Sequence, residues 1–417
     1  MSTSTIHIHT LPPSSHLGLD LSSLTTPSTF TGISSLPPGL HHIWISPAPS
    51  LTLRHGRWVL CAGDSDNDTH YFRYDAGSEG LVREDVEGTV VRSGASESES
   101  EAEEAEGEEG LISYRQRHPG SGSEGHSDSA WRALVAHVTP GVLTCLLGPG
   151  WAAETTSSST STSGDDEDDA ADLAAGKAFE ADSEVRIAFT AINLKTTWPA
   201  GAVGRERTEK ARDRSWALSE VLGRQQELLG EWEVTFVVCL FLGNFAAGEQ
   251  WQKVVRLVLT CREAVFGGSE GWFVEFLQGL RRMLEVLKGA GDGGGFLGDE
   301  VMAEVLKLLR GFGKVLREEE EEDDKRGRKV REEFLKLAGW ASRKMDWVLD
   351  TREVLRKGMV QTEEGDMVEI QDEGLEEEEE TGEYAPAVVE DLELSKSRSE
   401  SPLEIQMADE EDDDPRF

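Results

Sequence analysis

One stretch constrains the fold more than any other: Gly230 to Val265, GEWEVTFVVCLFLGNFAAGEQWQKVVRLVLTCREAV. Val234 to Leu242 is apolar all round, so a helix built from it has no face to give to water and must be central and buried. Further on, Trp251, Val254, Val255, Val258, Cys261 and Val265 recur three and four residues apart, which places them on one face of a second helix. Gly243-Asn244-Phe245 is a short breaker that lets the two fold back on each other. The stretch predicts a helical hairpin at the centre of an all-α domain. Nothing in it is chemically reactive.

The helical period extends on both sides. From Gly204 onward it predicts helices over 205–228, 231–246, 248–266, 270–288, 299–317 and 328–350. In the last, Val330, Phe334, Leu337, Ala338, Ala341, Met345 and Val348 form one stripe. Amphipathic helices joined by short loops stack into an array or bundle. No residue-level repeat of fixed period is found, which argues against a named repeat family.

The first ninety residues read differently. Thr5-Ile6-His7-Ile8-His9, His42-Ile43-Trp44-Ile45, Arg57 to Cys61 and His70 to Tyr74 alternate with period two. Pro12-Pro13-Ser14-Ser15, Leu36-Pro37-Pro38-Gly39 and Asp64 to Asp68 separate them as turns. The expected fold class is α+β in two domains. The first is an N-terminal antiparallel β-rich domain over 1–91 and 111–150, interrupted by a disordered acidic insertion at 92–110. A disordered linker at 151–184 and a connecting strand and loop at 185–204 (the strand being Val185 to Phe189) lead to the helical domain at 205–357. Within 111–150, Ala130 to Val138 predicts a helix. An acidic flexible tail over 358–417 closes the chain, with a strand-like island at 384–392.

The formal net charge of −39 sharpens that division. Glu97 to Glu109 holds 8 acidic residues and no basic one, Asp165 to Asp169 holds 5 and none, and residues 361–417 hold 23 against 3. The body between them is close to neutral, and the charge belongs to solvated segments too polar to fold alone. The acidic balance argues against direct phosphate-backbone binding, which needs clustered Lys and Arg. The 4 cysteines, Cys61, Cys145, Cys239 and Cys261, are far apart and mostly in apolar runs, so they read as reduced packing residues of an intracellular chain. The N-terminus lacks the pattern of a signal peptide, and no run is long enough to cross a bilayer. A soluble protein of nucleus and cytoplasm is expected.

Reactive motifs fare poorly. Gly289 to Gly295 satisfies G-x-G-x-x-G but follows a helix instead of a strand, so it reads as a flexible connection. Asp64-x-Asp66-x-Asp68 begins like a calcium loop, yet Thr69 stands where that loop needs glycine, and a hairpin turn fits better. His7, His9, His41 and His42 are explained by strand positions, with no cysteine or carboxylate cluster spaced to complete a metal site. No nucleophile elbow or Cys–His pair is evident. The expectation is no enzyme, no cofactor, no catalytic residue and no metal.

Two features of the polar segments point to partners. Tyr384-Ala385-Pro386-Ala387-Val388-Val389-Glu390-Asp391-Leu392 is a β-prone island in a charged tail. Such a segment can add a strand to a partner's sheet or dock on the chain's own β domain. Ser96, Ser98 and Ser100 each have an acidic residue three positions on, and Ser395, Ser397, Ser399 and Ser401 crowd the island. Phosphates on Ser96, Ser98, Ser100, Ser399 or Ser401 would add negative charge and weaken docking; serines that merely solubilise the segments are the other reading.

The central stretch resembles the AAR-two splicing-factor family. The likeness rests on the Gly230-Glu231 opening, on Phe241-Leu242-Gly243-Asn244, and on Glu249-x-Trp251-x-Lys253 leading into Leu257 and Leu259. It extends to Gly18, Asp20, Phe30, Gly32, Pro37, Pro38, Gly39 and His41 near the N-terminus. Thr208, Asp213, Ser215, Ala217, Leu218, Val221 and Leu222 also fall in the family's order, and YAPAVVE resembles its C-terminal Ala-Pro-x-Val-Val-Glu segment. The resemblance implies a non-enzymatic assembly factor of the U-five small nuclear ribonucleoprotein, monomeric before assembly. Its tail would bridge the RNase H-like and Jab/MPN-like domains of the core spliceosomal protein Prp-eight through Tyr384, Pro386, Val388 and Val389. That bridging would mask the surface used by the Brr-two helicase and by RNA until maturation in the nucleus. The acidic insertions and the extension past Leu394 depart from the family. The rival reading is a generic α-helical scaffold or adaptor unrelated to splicing.

Overall fold

A computed structural model describes residues 3–47, 53–63, 68–84, 110–114, 126–160, 186–224, 227–290, 297–322, 326–349, 357–361 and 367–371. It has a β-sheet-rich N-terminal region and a helical C-terminal region. Met1–Glu373 cluster as one compact unit, and Gly374–Phe417 lie outside the described residues.

The N-terminal region holds two sheets. The first runs β8 (Gly80–Glu84), β7 (Thr69–Asp75), β1 (Ser4–His9), β4 (Gly32–Leu36) and β9 (Leu111–Ser113). The second runs β10 (Thr156–Ser157), β6 (His55–Cys61), β5 (Gly39–Ser46), β2 (His16–Leu19) and β3 (Ser22–Thr25). Most pairings are antiparallel, but β1 with β7 and β4 with β9 are parallel, each closed by a long excursion through other strands. The alternation works as predicted in β1, where Ser4, Ile6 and Ile8 point inward. Ile6, Ile8, Leu17, Leu19, Ile33, Ile43, Ile45, Val59 and Phe72 fill the space between the sheets.

Two helices follow, α1 (His126–Leu134) and α2 (Pro140–Leu147). The helix expected over 130–138 ends earlier. Pro140 opens α2 at its first turn, where a missing N–H is harmless, and the Thr139 hydroxyl caps the Val142 amide. Two other expectations change. Residues 151–160, read as the front of the linker, carry β10, which pairs with β6 through Thr156 and Ser157. Residues 186–190 form a single bridge at Ile187 instead of a strand, because Ala188 bonds to the Leu146 carbonyl at the end of α2.

The helical region runs α3 (Gly204–Arg212), α4 (Ser215–Arg224), α5 (Leu228–Leu242), α6 (Phe245–Leu259), α7 (Glu263–Phe266), α8 (Glu270–Ala290), α9 (Asp299–Glu322) and α10 (Arg328–Met345). The helix expected over 205–228 breaks at Asp213. That side chain accepts from the amides of Ser215, Arg262 and Glu263 and so serves the starts of α4 and α7 together. The last helix ends at Met345, capped by left-handed Asp346, which leaves Val348 exposed instead of on the buried stripe. A hairpin, β11 (Lys357–Gln361) with β12 (Met367–Gln371), lies where the flexible tail was expected to begin. Met359-Val360 and Met367-Val368-Glu369-Ile370 are β-prone runs.

The central hairpin is as read. α5 is buried around almost its whole circumference and α6 presents Trp251, Val254, Val255 and Val258 to it. Gly243 adopts φ 71° and ends α5, and Asn244 Oδ1 accepts the Ala247 amide at 2.9 Å and starts α6.

Candidate functional site

The two regions meet on one face of the second sheet, and the sequence of β5 and β6 explains how. Along β5, Ile43 and Ile45 point into the space between the sheets, and Trp44 joins the helical core. Along β6, Val59 and Cys61 point inward and Trp58 points to the helices. The sheet is thus buried on both faces. The Trp58 ring stacks on Trp131 of α1 with centroids 6.1 Å apart, and His42 stacks on Phe241 of α5 at 6.0 Å.

Glycines permit this approach. A Cβ on Gly18 would fall 2.0 Å from the Trp44 indole, and one on Gly56 would fall 2.8 Å from the His42 ring and Leu242. Polar ties frame the apolar contact. Trp131 Nε1 donates to the Leu40 carbonyl (2.8 Å), Arg54 to the Phe241 carbonyl (2.9 Å), and Arg57 to the Ala153 carbonyl and the Thr155 hydroxyl. Asn244 Nδ2 donates to the carbonyls of Ser157 (3.0 Å) and Thr160 (2.9 Å), holding β10 against the central hairpin.

The resemblance signature has a physical centre. Asp20 Oδ2 accepts from His41 Nδ1 and from the Tyr114 hydroxyl, both at 2.7 Å, and Oδ1 accepts the His42 amide at 3.0 Å. His41 Nε2 donates to the Pro37 carbonyl at 2.8 Å. Both ring nitrogens therefore face acceptors. Burial alone would lower the His41 pKa, but the charge and hydrogen bond of Asp20 outweigh it and hold the imidazolium above its usual range. Pro37-Pro38-Gly39 thus ends one strand, starts the next and offers the carbonyl that orients the histidine.

A second polar centre lies on α5. Glu231 accepts from the Thr190 amide and hydroxyl (2.8 and 2.6 Å) and from Gln250 (3.1 Å). Glu233 accepts from the His137 amide and Nδ1, each at 2.7 Å. Burial pushes the Glu233 carboxyl up, and the bond to Glu233 raises His137. Gly230 lets α5 pass the His137 carbonyl, since a Cβ there would fall 2.4 Å from that oxygen. Hydropathy reading marked this helix as apolar and passed over both buried carboxylates. Their signal was the pair of acids opening a run that has no exposed face.

Cys61, Asp68 and His70 bring one potential metal-ligand atom each within 4.8 Å of one another. The sequence reading missed this group because it weighed Asp68 with the aspartates before it instead of with Cys61, which a strand crossover places beside it. Two shallow cavities open on the described surface. One of about 160 Å³ lies between Pro38–His41 and Trp131–Val135, and one of about 310 Å³ is lined by Gln278, Arg281, Arg282, Glu333 and Lys336. Of the residues singled out from sequence, Tyr384, Pro386, Val388 and Val389 lie outside the described residues, as do Ser96, Ser98, Ser100, Ser395, Ser397, Ser399 and Ser401. No helix among the described residues is long and apolar enough to cross a membrane.

Comparison with known proteins matches these two regions. Residues 2–148 match the profile described as AAR2 N-terminal domain, and residues 189–350 match the AAR2 C-terminal repeat region. The second description corrects the expectation that no repeat family applies: helices of 15, 15, 21, 24 and 18 residues leave no fixed period in the sequence. A protein AAR2 homolog of Oryctolagus cuniculus is 44% identical over 94 residues, 21% of this chain and 27% of the relative. One of Mus musculus is 35% identical over 94 residues, covering 21% and 24%. One of Macaca fascicularis is 41% identical over 71 residues, covering 16% and 18%. The aligned stretch thus spans about a quarter or less of each relative's length.

Proposed function

Because the chain belongs to the AAR2 family, we propose that it is a non-enzymatic assembly factor of the U-five small nuclear ribonucleoprotein in pre-mRNA splicing. The observation that carries this reading is the order of the two matched regions along one chain, each on its own folded part. A role by binding instead of turnover is supported by the buried carboxylates, which are engaged in structural pairs: Asp20 with His41, Glu231 with Thr190, Glu233 with His137.

In this reading the partner is Prp-eight. The folded body holds its RNase H-like and Jab/MPN-like domains, and the tail bridges them through Tyr384, Pro386, Val388 and Val389, with main-chain hydrogen bonds supplying affinity. The helicase-binding surface is masked meanwhile. Phosphates on Ser96, Ser98, Ser100, Ser399 or Ser401 would loosen the complex by charge repulsion. The chain works in nucleus and cytoplasm, without binding RNA directly and as a monomer before assembly.

A pull-down of the two Prp-eight domains by the full chain and by a chain ending at Gly382 tests both parts. The expected outcome is capture by the full chain that weakens at least tenfold on truncation. Equal capture would retain the partner and reject the tail mechanism. Capture by neither would favour the generic helical scaffold.

A further inference from the structure

We propose that Cys61, Asp68 and His70 form a zinc site that staples the two N-terminal sheets together at the β6–β7 crossover. Cys61 ends β6 in the second sheet, Asp68 immediately precedes β7, and His70 lies within β7 in the first. Residues 68 and 70 share a side of the strand, so their side chains converge toward the thiol across the crossover. The three donor atoms, one sulfur, one carboxylate oxygen and one ring nitrogen, lie within 4.8 Å of one another. Thiolate, imidazole and carboxylate together are a donor set that suits Zn²⁺.

The histidine carries the argument. His70 is 7% exposed, and neither ring nitrogen has a hydrogen-bond partner among the described residues. Its Nε2 nevertheless stands 3.4 Å from Asp68 Oδ1, too poorly aligned to be a hydrogen bond. A nitrogen and an oxygen each about 2.0 Å from one tetrahedral zinc stand about 3.3 Å apart, so the observed spacing accommodates an ion between the two. A buried imidazole left unpaired otherwise carries an uncompensated desolvation penalty.

The surrounding groups support the same reading. Asp68 Oδ2 accepts from the Ser4 hydroxyl (2.7 Å) and the Ala62 amide (2.8 Å), which fixes the carboxylate and leaves Oδ1 turned to the histidine. Such outer contacts orient metal ligands in known sites. Cys61 is a buried free cysteine and enters with its S–H proton. Zinc displaces that proton: the S–H bond breaks, the sulfur keeps the electron pair and donates it to Zn²⁺, and one H⁺ is released to solvent. A water molecule would complete the fourth position.

Carboxylates of the acidic segments offer oxygen ligands to any divalent cation, so a metal count alone would be ambiguous. Co²⁺ separates the cases, because only a thiolate ligand gives a near-ultraviolet charge-transfer band. Titrating the full chain with Co²⁺ is expected to raise that band to saturation at one equivalent. One equivalent of Zn²⁺ should then bleach it. The Cys145→Ser variant should keep the band, Cys61→Ser should lose it, and His70→Gln should weaken Co²⁺ binding at least tenfold. Absence of the band in the unaltered chain overturns the proposal whatever the variants do. So does a band that disappears with Cys145→Ser, the exposed thiol.

Discussion

The two folded regions hold themselves together by different means. The β region has a small apolar core between its sheets and adds to it the buried pairing of Asp20 with His41 and Tyr114. The helical region has a large core in which Trp232, Phe236, Trp251, Phe273 and Phe276 are fully covered, and aromatic stacking such as Trp232 on Phe276 at 4.5 Å continues through it. A small sheet sandwich buries too little apolar surface to fix its own geometry, so directional bonds do part of the work. A many-helix core relies on area, and its polar groups hold ends and seams.

If that contrast is right, the largest single effect belongs to the β region. Asp20→Ala removes the partner of a buried imidazolium and leaves the Tyr114 hydroxyl without one of its acceptors. The expected loss is about 3–5 kcal/mol in urea unfolding. A loss under about 1 kcal/mol would show that apolar packing alone holds the sandwich. A medium effect is expected at the junction. Asn244→Ala deletes the cap of α6 and the ties to Ser157 and Thr160, and should cost about 2 kcal/mol. It should also raise amide exchange in β10 before α9 or α10 is affected.

An effect that vanishes at neutral pH sharpens the comparison further. His42 is buried, neutral and pushed down to about 3 by desolvation. A group whose pKa is depressed on folding contributes stability that is present above its unfolded value of about 6.5 and lost as pH falls toward its folded value. His41 runs the other way. Its folded pKa is raised, so its contribution is full below about 6.5 and fades as pH climbs through the folded value. The His42→Leu variant should therefore lose less stability than the unaltered chain between pH of about 6.5 and 3, by a slope of at most about 1.4 kcal/mol per pH unit. Parallel slopes in chemical unfolding from pH 7 to pH 4 would mean that His42 is not protected from water.

What the sequence disclosed tracks how local each cause was. The central hairpin was legible because its signals lie side by side: an all-round apolar run, Gly243 in a left-handed cap and Asn244 as the next cap. Alternation disclosed β1, β5, β6 and β7 and passed over β2, β3 and β4, strands of four or five residues rich in Gly and Ser. Pro140, just past the helix expected over 130–138, opens a second helix that was not foreseen, because Thr139 caps it. Asp213 was read as helix interior because the amides of Arg262 and Glu263 that it binds lie far along the chain. The same distance hid the convergence of Asp20, His41 and Tyr114 and the meeting of Cys61 with His70. The chemistry of these residues was visible in the sequence, and their neighbours were not.

The double burial of the second sheet has a consequence for synthesis in the cell. His42, whose ring stacks on Phe241, is translated well before α5, which ends at Leu242. At the usual elongation rate of about 5–20 residues per second, the nascent sandwich carries a bare aromatic face for roughly ten to forty seconds. During that interval its outer apolar surface is uncovered and prone to aggregation until α5 emerges.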